Sequence, residues 1–118
     1  MRSVLIVEDD VIFAQSIEAH LAKEGFEVEV AASTFAALDR LDARKFGMLL
    51  VDIGMPRGAP SGLSFARMAR IRDPQAHIIF LTGYPELVKH AEQFGAKVFA
   101  KPIDLAAVVA EIDRQLTA

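Results

Sequence analysis

Two kinds of hydrophobic pattern alternate along the chain. Short runs that are apolar at nearly every position are typical of strands covered on both faces of a sheet. Longer segments with apolar residues three or four positions apart are typical of helices with one buried face. One short run, residues 26–31, alternates polar and apolar positions, which favours an edge strand. The predicted strands are residues 3–7, 26–31, 48–51, 77–81 and 97–100.

Residues of the kinds that cap helices stand at the ends of the longer segments. Gly25 and Gly95 follow the first and fourth segments, and Pro85 suits the first turn of the fourth. Ile12 and Phe35 belong to the apolar sets that are expected to face the core. The predicted helices are residues 11–23, a segment that begins after Ser33, residues 63–71, residues 85–94 and a segment that begins after Asp104.

The alternation of five strands with five helices predicts an α/β fold, a parallel sheet with helices on both faces. Residues 54–62 contain three glycines and two prolines and are predicted to form a loop. In open parallel sheets, ligands bind outside the carboxyl ends of the strands. Functional residues are therefore expected where the strands end.

Composition narrows the functional classes. The chain has 118 residues, the size of one domain, with 53% hydrophobic residues and a net charge of -3. It contains no cysteine, which excludes disulfides, thiolate metal sites and a cysteine nucleophile. No apolar run approaches the ~20 residues that span a bilayer, and no signal peptide or basic run is present. A cytoplasmic protein that binds neither nucleic acid nor membrane directly is expected.

Charged and hydroxyl side chains follow four of the five predicted strands. Because parallel strands end at the same edge of a sheet, these side chains are expected to converge there. Two or three of the four carboxylates are expected to meet there with one hydroxyl and one ammonium. The first strand is followed by Glu8, Asp9 and Asp10, the third by Asp52, the fourth by Thr82 and the fifth by Lys101.

Crowded carboxylates favour a cation. Their mutual repulsion raises their pKa values unless a positive charge intervenes, and oxygen ligands suit Mg²⁺. An aspartate carboxylate can attack phosphorus as a nucleophile. A metal ion and Lys101 would then neutralise the oxygens of the transferring group, and Thr82 could donate a hydrogen bond to one of them. The constellation therefore predicts phosphoryl chemistry.

Four segments resemble the receiver domain of two-component response regulators. The resemblance covers essentially the whole chain and implies a flavodoxin-like (βα)5 fold with strand order 2-1-3-4-5. It also implies that residues 1–118 form one receiver domain with no output domain. The segments are residues 5–10 (LIVEDD), 51–56 (VDIGMP), 81–83 (LTG) and 101–102 (KP).

The resemblance assigns roles to individual residues. Asp52 is the phospho-acceptor, Thr82 the switch hydroxyl and Lys101 the phosphate-facing lysine, which usually precedes a cis proline bond. Glu8 and Asp9 form the acidic pair that binds Mg²⁺, with Asp9 as the more direct ligand. The remaining metal ligands are Asp52 itself and the backbone carbonyl of Gly54.

Three departures from the family pattern stand out. The loop after Met55 and Pro56 is about two residues longer than the common form, and the stretch from Gly95 to Lys101 is one residue shorter. The family often has an aromatic switch residue three positions before the lysine, where this chain has Val98. Phe99 is adjacent but is expected to point to the other face of the sheet.

The function implied is a Mg²⁺-dependent signalling switch or phosphorelay protein, regulatory rather than enzymatic, that hydrolyses its own acyl phosphate. A histidine kinase or histidine phosphotransfer protein would donate the phosphoryl group. Residues 85–117 would contact a downstream partner, and the protein would be a monomer or weak dimer. Without an output domain it would be a stand-alone receiver or a piece of a longer protein.

Two other functions remain open. One is a pseudo-receiver that binds partners without phosphorylation, although every expected site residue is present. The other is a small aspartyl phosphohydrolase, but such enzymes often have Asp-x-Asp where this chain has Gly54 in the second position.

Asp10 could simply interact favourably with the positive N-terminus of the first helix. The three histidines share no spacing that predicts a metal cluster.

Overall fold

The ten predicted elements are all present in the structure, a computed structural model that describes residues 2–54 and 61–117. Most of the predicted loop, residues 55–60, lies outside the described residues. The strands are β1 (Ser3–Val7), β2 (Glu27–Ala31), β3 (Met48–Asp52), β4 (His77–Thr82) and β5 (Lys97–Ala100). The helices are α1 (Val11–Lys23), α2 (Thr34–Ala43), α3 (Gly62–Arg72), α4 (Pro85–Phe94) and α5 (Leu105–Thr117).

The strands form one parallel sheet in the order β2-β1-β3-β4-β5. This order confirms the predicted topology and places β2 at one edge, as its alternating pattern indicated. Val7 pairs with Val51, and Asp52 pairs with Leu81, so β1, β3 and β4 end side by side. The polar residues that follow these strands are thereby brought to one edge of the sheet.

Two apolar cores, one on each face of the sheet, hold the strand ends in place. Leu5 and Val7 face the core beneath α2, α3 and α4, whereas Val4 and Ile6 face the core beneath α1 and α5. All four side chains are fully buried. Each contributes about 1.5–3 kcal/mol relative to exposure, so the central strands form a rigid platform for the site.

Two apolar residues that were expected to face the core are exposed, so this part of the prediction is wrong. Ile12 is 80% exposed and Phe35 is 58% exposed. Residues in an α-helix are about 100° apart, so a residue two positions before a buried one points almost the opposite way. Ile12 stands in this relation to the buried Ala14, and Phe35 stands in it to the buried Ala37.

The predicted capping residues are confirmed, although α3 is one residue longer at each end than predicted. The Ser33 side chain accepts a hydrogen bond from the backbone N–H of Ala36, and Asp104 accepts one from Ala107. Gly25 and Gly95 have φ values of 87° and 93°, a left-handed conformation that favours glycine. In the described part of the chain, no helix has both the length and the apolar character needed to cross a bilayer.

Candidate functional site

The carboxyl edge of the sheet carries an open acidic cleft. Its walls come from the segments that follow β1, β3, β4 and β5, because these strands end side by side. Most of the predicted site residues meet there. The residues lining the cleft are Glu8, Asp9, Asp10, Asp52, Gly54, Gly83, Tyr84 and Lys101.

Three carboxylates lie close together in this acidic cleft. One oxygen from each of Glu8, Asp9 and Asp52 lies within 4.8 Å of the others. Glu8 is 1% exposed and Asp52 is 5% exposed, whereas Asp9 is open to solvent. Within residues 2–54 and 61–117, this is the one group of three acidic or histidine side chains found so close together. Two buried carboxylates therefore face a third at the rim.

Lys101 supplies the positive charge of the cleft. Its Nζ atom donates a hydrogen bond of 2.9 Å to Glu8 Oε1 and lies 3.5 Å from Asp52 Oδ2. The peptide bond from Lys101 to Pro102 is cis, as the family resemblance implied. The backbone N–H of Lys101 donates a 2.7 Å hydrogen bond to the Thr82 carbonyl, which ties the end of β5 to the end of β4.

Burial is the largest single influence on the pKa values of both partners in the ion pair. It raises the pKa of the Glu8 carboxyl from 4.5 to about 7, although the hydrogen bond from Lys101 acts in the opposite direction. Burial also lowers the pKa of Lys101, but the hydrogen bond to Glu8 and the charge of Asp52 outweigh it, and the net pKa is raised. One ammonium is thus insufficient to offset the desolvation of Glu8.

Asp52 is held at the end of β3 by its local backbone. The backbone N–H of Gly54 donates a 2.9 Å hydrogen bond to Asp52 Oδ1. Gly62 at the start of α3 packs directly on this turn: a Cβ atom there would lie 2.6 Å from the Asp52 carbonyl oxygen. The sequence predicted only a loop at Gly62, since a close approach between separate segments leaves no local pattern.

Tyr84 is a cleft residue that the sequence analysis missed. A Cβ atom added to Gly54 would lie 2.5 Å from the Tyr84 ring, so the ring rests against the backbone two residues after Asp52. The ring remains half exposed. Its position in a short loop after β4 gave no periodic signal of where the side chain would point.

The Thr82 hydroxyl does not join the carboxylates in this structure. Its Oγ1 accepts a 3.0 Å hydrogen bond from the backbone N–H of Tyr84 and lies 3.3 Å from the Tyr84 carbonyl, to which it can donate. Thr82 is nevertheless fully buried at the end of β4, beside the paired β3. The hydroxyl therefore fixes the loop that carries Tyr84.

Asp10 acts at the N-terminus of the first helix, which is the structural alternative that the sequence offered for it. Its side chain accepts a 3.0 Å hydrogen bond from the backbone N–H of Phe13 and so caps α1. Its own backbone N–H donates a 3.1 Å hydrogen bond to Glu8 Oε2. Asp10 is not one of the three clustered carboxylates. It organises the segment that follows β1.

The position of the usual aromatic switch residue is occupied by an aliphatic side chain. Val98 packs against the core beneath α2, α3 and α4, whereas Phe99 packs against the core beneath α1 and α5. The expected alternation is confirmed, and Phe99 does not replace the missing aromatic on the α4 side. Most of the loop that was expected to be longer, residues 57–60, lies outside the described part of the chain.

The donor set of the acidic cleft fits a hard divalent cation. It offers carboxylate oxygens from three residues, and two of these side chains are buried, so their charge is poorly compensated by water. Mg²⁺ typically uses one or two carboxylates and keeps several waters, which the open side of the cleft allows. Nitrogen or sulfur ligands, which would favour zinc, are absent from this cluster.

The chain has clear relatives among known proteins. A sequence model of the family described as "Response regulator receiver domain" matches residues 4–113. The response regulator receiver protein CpdR of Brucella abortus is 33% identical over 121 residues, which cover 100% of this chain and 99% of CpdR. Several other curated relatives are longer, and the chain spans between 52% and 58% of their length.

Solved structures agree with this result. A CheY-like response regulator receiver domain protein from Methanospirillum hungatei has a TM-score of 0.89 at 28% identity, covering 99% of this chain and 94% of that one. The response regulator protein TrrA of Thermotoga maritima, solved in complex with Mg²⁺-BeF, has a TM-score of 0.87 at 25% identity, covering 98% of this chain and 99% of that one. The likeness extends over the whole of both partners.

Proposed function

The chain belongs to the response regulator receiver domain family of two-component signalling, and from this membership we propose that it is a Mg²⁺-dependent switch phosphorylated on Asp52. Receiver domains are regulatory switches and are generally phosphorylated on an aspartate. One observation carries the assignment to Asp52: its buried carboxylate lies both within the acidic cluster and 3.5 Å from the Lys101 ammonium. A nucleophile, a cation site and a fixed positive charge thus share one cleft.

Glu8, Asp9 and Asp52 would hold the metal ion, together with the backbone carbonyl of Gly54. Bound there, Mg²⁺ would supply positive charge to a phosphoryl group and relieve the repulsion among the acids. The donor set of the cleft supports this assignment, as does the Mg²⁺-BeF complex of the Thermotoga maritima relative. Asp9 at the rim is the most accessible of the three carboxylates.

In the proposed reaction, a carboxylate oxygen of Asp52 attacks the phosphorus of a phosphohistidine. The new O–P bond forms as the N–P bond breaks, and the imidazole nitrogen keeps the electron pair and takes a proton. Lys101 would stabilise the negative charge on the phosphoryl oxygens, since its ammonium already lies beside Asp52. Hydrolysis of the acyl phosphate in the same cleft would reset the switch.

Thr82 would couple the phosphoryl group to the rest of the domain. Its hydroxyl now bonds to the backbone of Tyr84, and charged phosphoryl oxygens are stronger acceptors than a carbonyl. If the hydroxyl exchanged these partners, the loop before α4 would lose its anchor. Two states that differ by only a few kcal/mol are enough for a switch. Residues 85–117, which follow this loop, would present the changed surface to a downstream partner.

A protein donor is supported by the surface beside the acidic cleft. Val11 and Ile12 open α1, directly after the acidic residues, and both are exposed. Apolar side chains in this position suit docking of a histidine kinase or histidine phosphotransfer protein, whose phosphohistidine must reach Asp52.

Phosphorylation from a small donor tests the proposal. The protein should be labelled by acetyl phosphate or phosphoramidate in the presence of Mg²⁺, as measured by the mass increase of the intact chain. Asp52→Asn should abolish the label and retain the fold. Asp10→Asn is the matched control in the same cleft, because asparagine also caps helices, and it should be labelled like the wild type.

Other outcomes would contradict the proposal in different ways. An absence of labelling in the wild-type protein would favour a pseudo-receiver. Rapid turnover of many small phosphoesters without a stable label would favour a phosphohydrolase. Labelling that persists in Asp52→Asn would show that another residue is the phospho-acceptor.

A further inference from the structure

The Lys101 ammonium has a third partner besides its two carboxylates. Its Nζ atom lies over the ring of Phe13, 4.4 Å from the ring centroid. A cation within about 6 Å of the face of an aromatic ring is attracted by the negative potential of that face. The contact joins α1 to the end of β5, and the phosphoryl chemistry proposed above does not use it.

The Phe13 ring is fixed by the structure around it. The backbone N–H of Phe13 donates to the capping side chain of Asp10, and its carbonyl accepts a 2.7 Å hydrogen bond from the Ser16 hydroxyl. The ring is half buried against the core beneath α1 and α5. The cap at Asp10 thus fixes the backbone from which the ring projects, and the core supports the ring, so that the ring can offer Lys101 a defined surface.

A lysine ammonium is harder to hold in one position than a rigid side chain, so a surface that it can rest on matters more. Its ammonium stands on a flexible four-carbon stem, and the side chain is about a quarter exposed. Its shorter contact is to Glu8, at 2.9 Å, whereas Asp52 lies at 3.5 Å. Phosphorylation would require the ammonium to shift its pairing toward Asp52.

A ring attracts the ammonium without carrying a formal charge. Phe13 can therefore stay in contact whether the ammonium pairs with Glu8 or with an oxygen on Asp52. We propose that Phe13 is a positioning residue that holds the Lys101 ammonium beside Asp52 while it changes partners. This inference rests on the proposed function, because it assigns Lys101 to a phosphoryl group.

Binding of a phosphoryl mimic tests the role. Beryllofluoride should be titrated in the presence of Mg²⁺ into the wild type, Phe13→Leu and Phe13→Tyr. Leucine keeps an apolar side chain but has no ring face, so the affinity for beryllofluoride should fall roughly two- to tenfold. Tyrosine keeps the ring and should restore it. The affinity for Mg²⁺ alone should be the same in all three proteins, which a general disturbance of the cleft would not allow.

The contact itself has a spectroscopic signature. A ring shifts the NMR signals of protons above its face, so the ε-methylene protons of Lys101 should be shielded in the wild type and in Phe13→Tyr. The shielding should disappear in Phe13→Leu. Lys97, which lies 5.8 Å from the ring centroid of Phe99, provides an internal control whose signal should not change.

The outcomes separate the inference from its premise. A wild-type protein that does not bind beryllofluoride with Mg²⁺ would overturn the proposed function and the positioning role together. Strong binding by the wild type with equal binding by Phe13→Leu would overturn the positioning role alone. Tighter binding by Phe13→Leu would also overturn it, since the ring would then be holding the ammonium away from the mimic.

Discussion

Glu8 is a buried carboxylate that accepts hydrogen bonds from the Lys101 ammonium and from the backbone N–H of Asp10, and Lys101 is its one cationic partner among the described residues. Removing a carboxylate from water is costly, and a single hydrogen-bonded ammonium does not always compensate for it. The raised pKa of Glu8 follows from that balance, because burial outweighs the hydrogen bond from Lys101. A divalent cation would complete the compensation. The same feature that suits the cleft to metal binding therefore makes the metal-free protein less stable.

The pH dependence of stability should reveal this cost. The pKa of Glu8 is about 7 in the folded protein against an ordinary value of 4.5. Between these values the folded state holds a proton that the unfolded state releases, so rising pH favours unfolding. Without divalent ions, the free energy of unfolding should fall by up to about 3 kcal/mol from pH 4.5 to above pH 7. Denaturant titrations at several pH values would measure it.

Glu8→Gln is the control for this effect. Glutamine has the same shape but no titrating carboxyl, so the decrease over this pH range should be smaller in the variant by the amount due to Glu8. Other groups titrate in both proteins and cancel in the difference. Parallel curves for the two proteins would show that the Glu8 carboxyl is not strongly perturbed.

At the scale of elements, the site depends on how closely α3 begins beside β3. Gly62 opens α3, and an added Cβ atom would meet backbone atoms of Asp52 and Ile53 at 2.6 and 2.7 Å. Backbone atoms cannot rotate away as the end of a side chain can. The absence of a side chain at this position therefore allows the helix to support the turn that carries Asp52.

Gly62→Ala should disturb both the fold and the site. Overpacking of this kind costs about 1–3 kcal/mol, and the displaced turn should lower the rate of labelling at Asp52. Gly83→Ala is the matched control in the same cleft, because its added Cβ atom would meet only the Lys101 side chain at 3.8 Å. Its stability should change by less than about 1 kcal/mol. Thermal unfolding and labelling rates would compare them, and equal effects would exclude the close approach as the cause.

The sequence predicted the strands and helices well because apolar residues recur at different spacings in the two kinds of element. All ten elements and the convergence of Glu8, Asp52 and Lys101 follow from where apolar runs stop, whereas the order of the strands in the sheet came from the family resemblance. The exposure of Ile12 and Phe35 was not predicted. Both are apolar and stand close to the apolar positions of a helix, so they were counted with the buried face although they point to solvent. Contacts made by Phe13 and Tyr84 depend on side-chain directions across separate segments, which periodicity does not encode.

Across the whole molecule, exposed apolar residues are unevenly distributed. In the described part of the chain, four of the five large ones stand at the carboxyl edge of the sheet, in the first turns of helices or just before one: Val11, Ile12, Phe35 and Tyr84. The fifth, Ile71, lies near the end of α3, at the opposite edge. This distribution places apolar surface at the same edge of the sheet as the acidic cleft, where a phosphoryl donor protein could cover it.

A pair of substitutions at the two edges would test that surface. Ile12→Ser should slow phosphoryl transfer from the cognate donor protein several-fold, since buried apolar anchors dominate binding energy. Labelling by acetyl phosphate should be unchanged, because the small donor needs no docking surface. Ile71→Ser is the matched control, since Ile12 and Ile71 are 80% and 79% exposed. Equal rates from the protein donor for both variants would place its docking surface elsewhere.

The chain contains one tyrosine and no tryptophan, and that tyrosine is Tyr84, whose ring rests against Gly54. Its ultraviolet emission therefore comes from a single point at the wall of the cleft. An event that reaches this wall, whether an ion, a phosphoryl mimic or movement of the loop before α4, can be followed in the unmodified protein through the light it emits. Tyr84 is thus an intrinsic fluorescent reporter in the same cleft as Asp52.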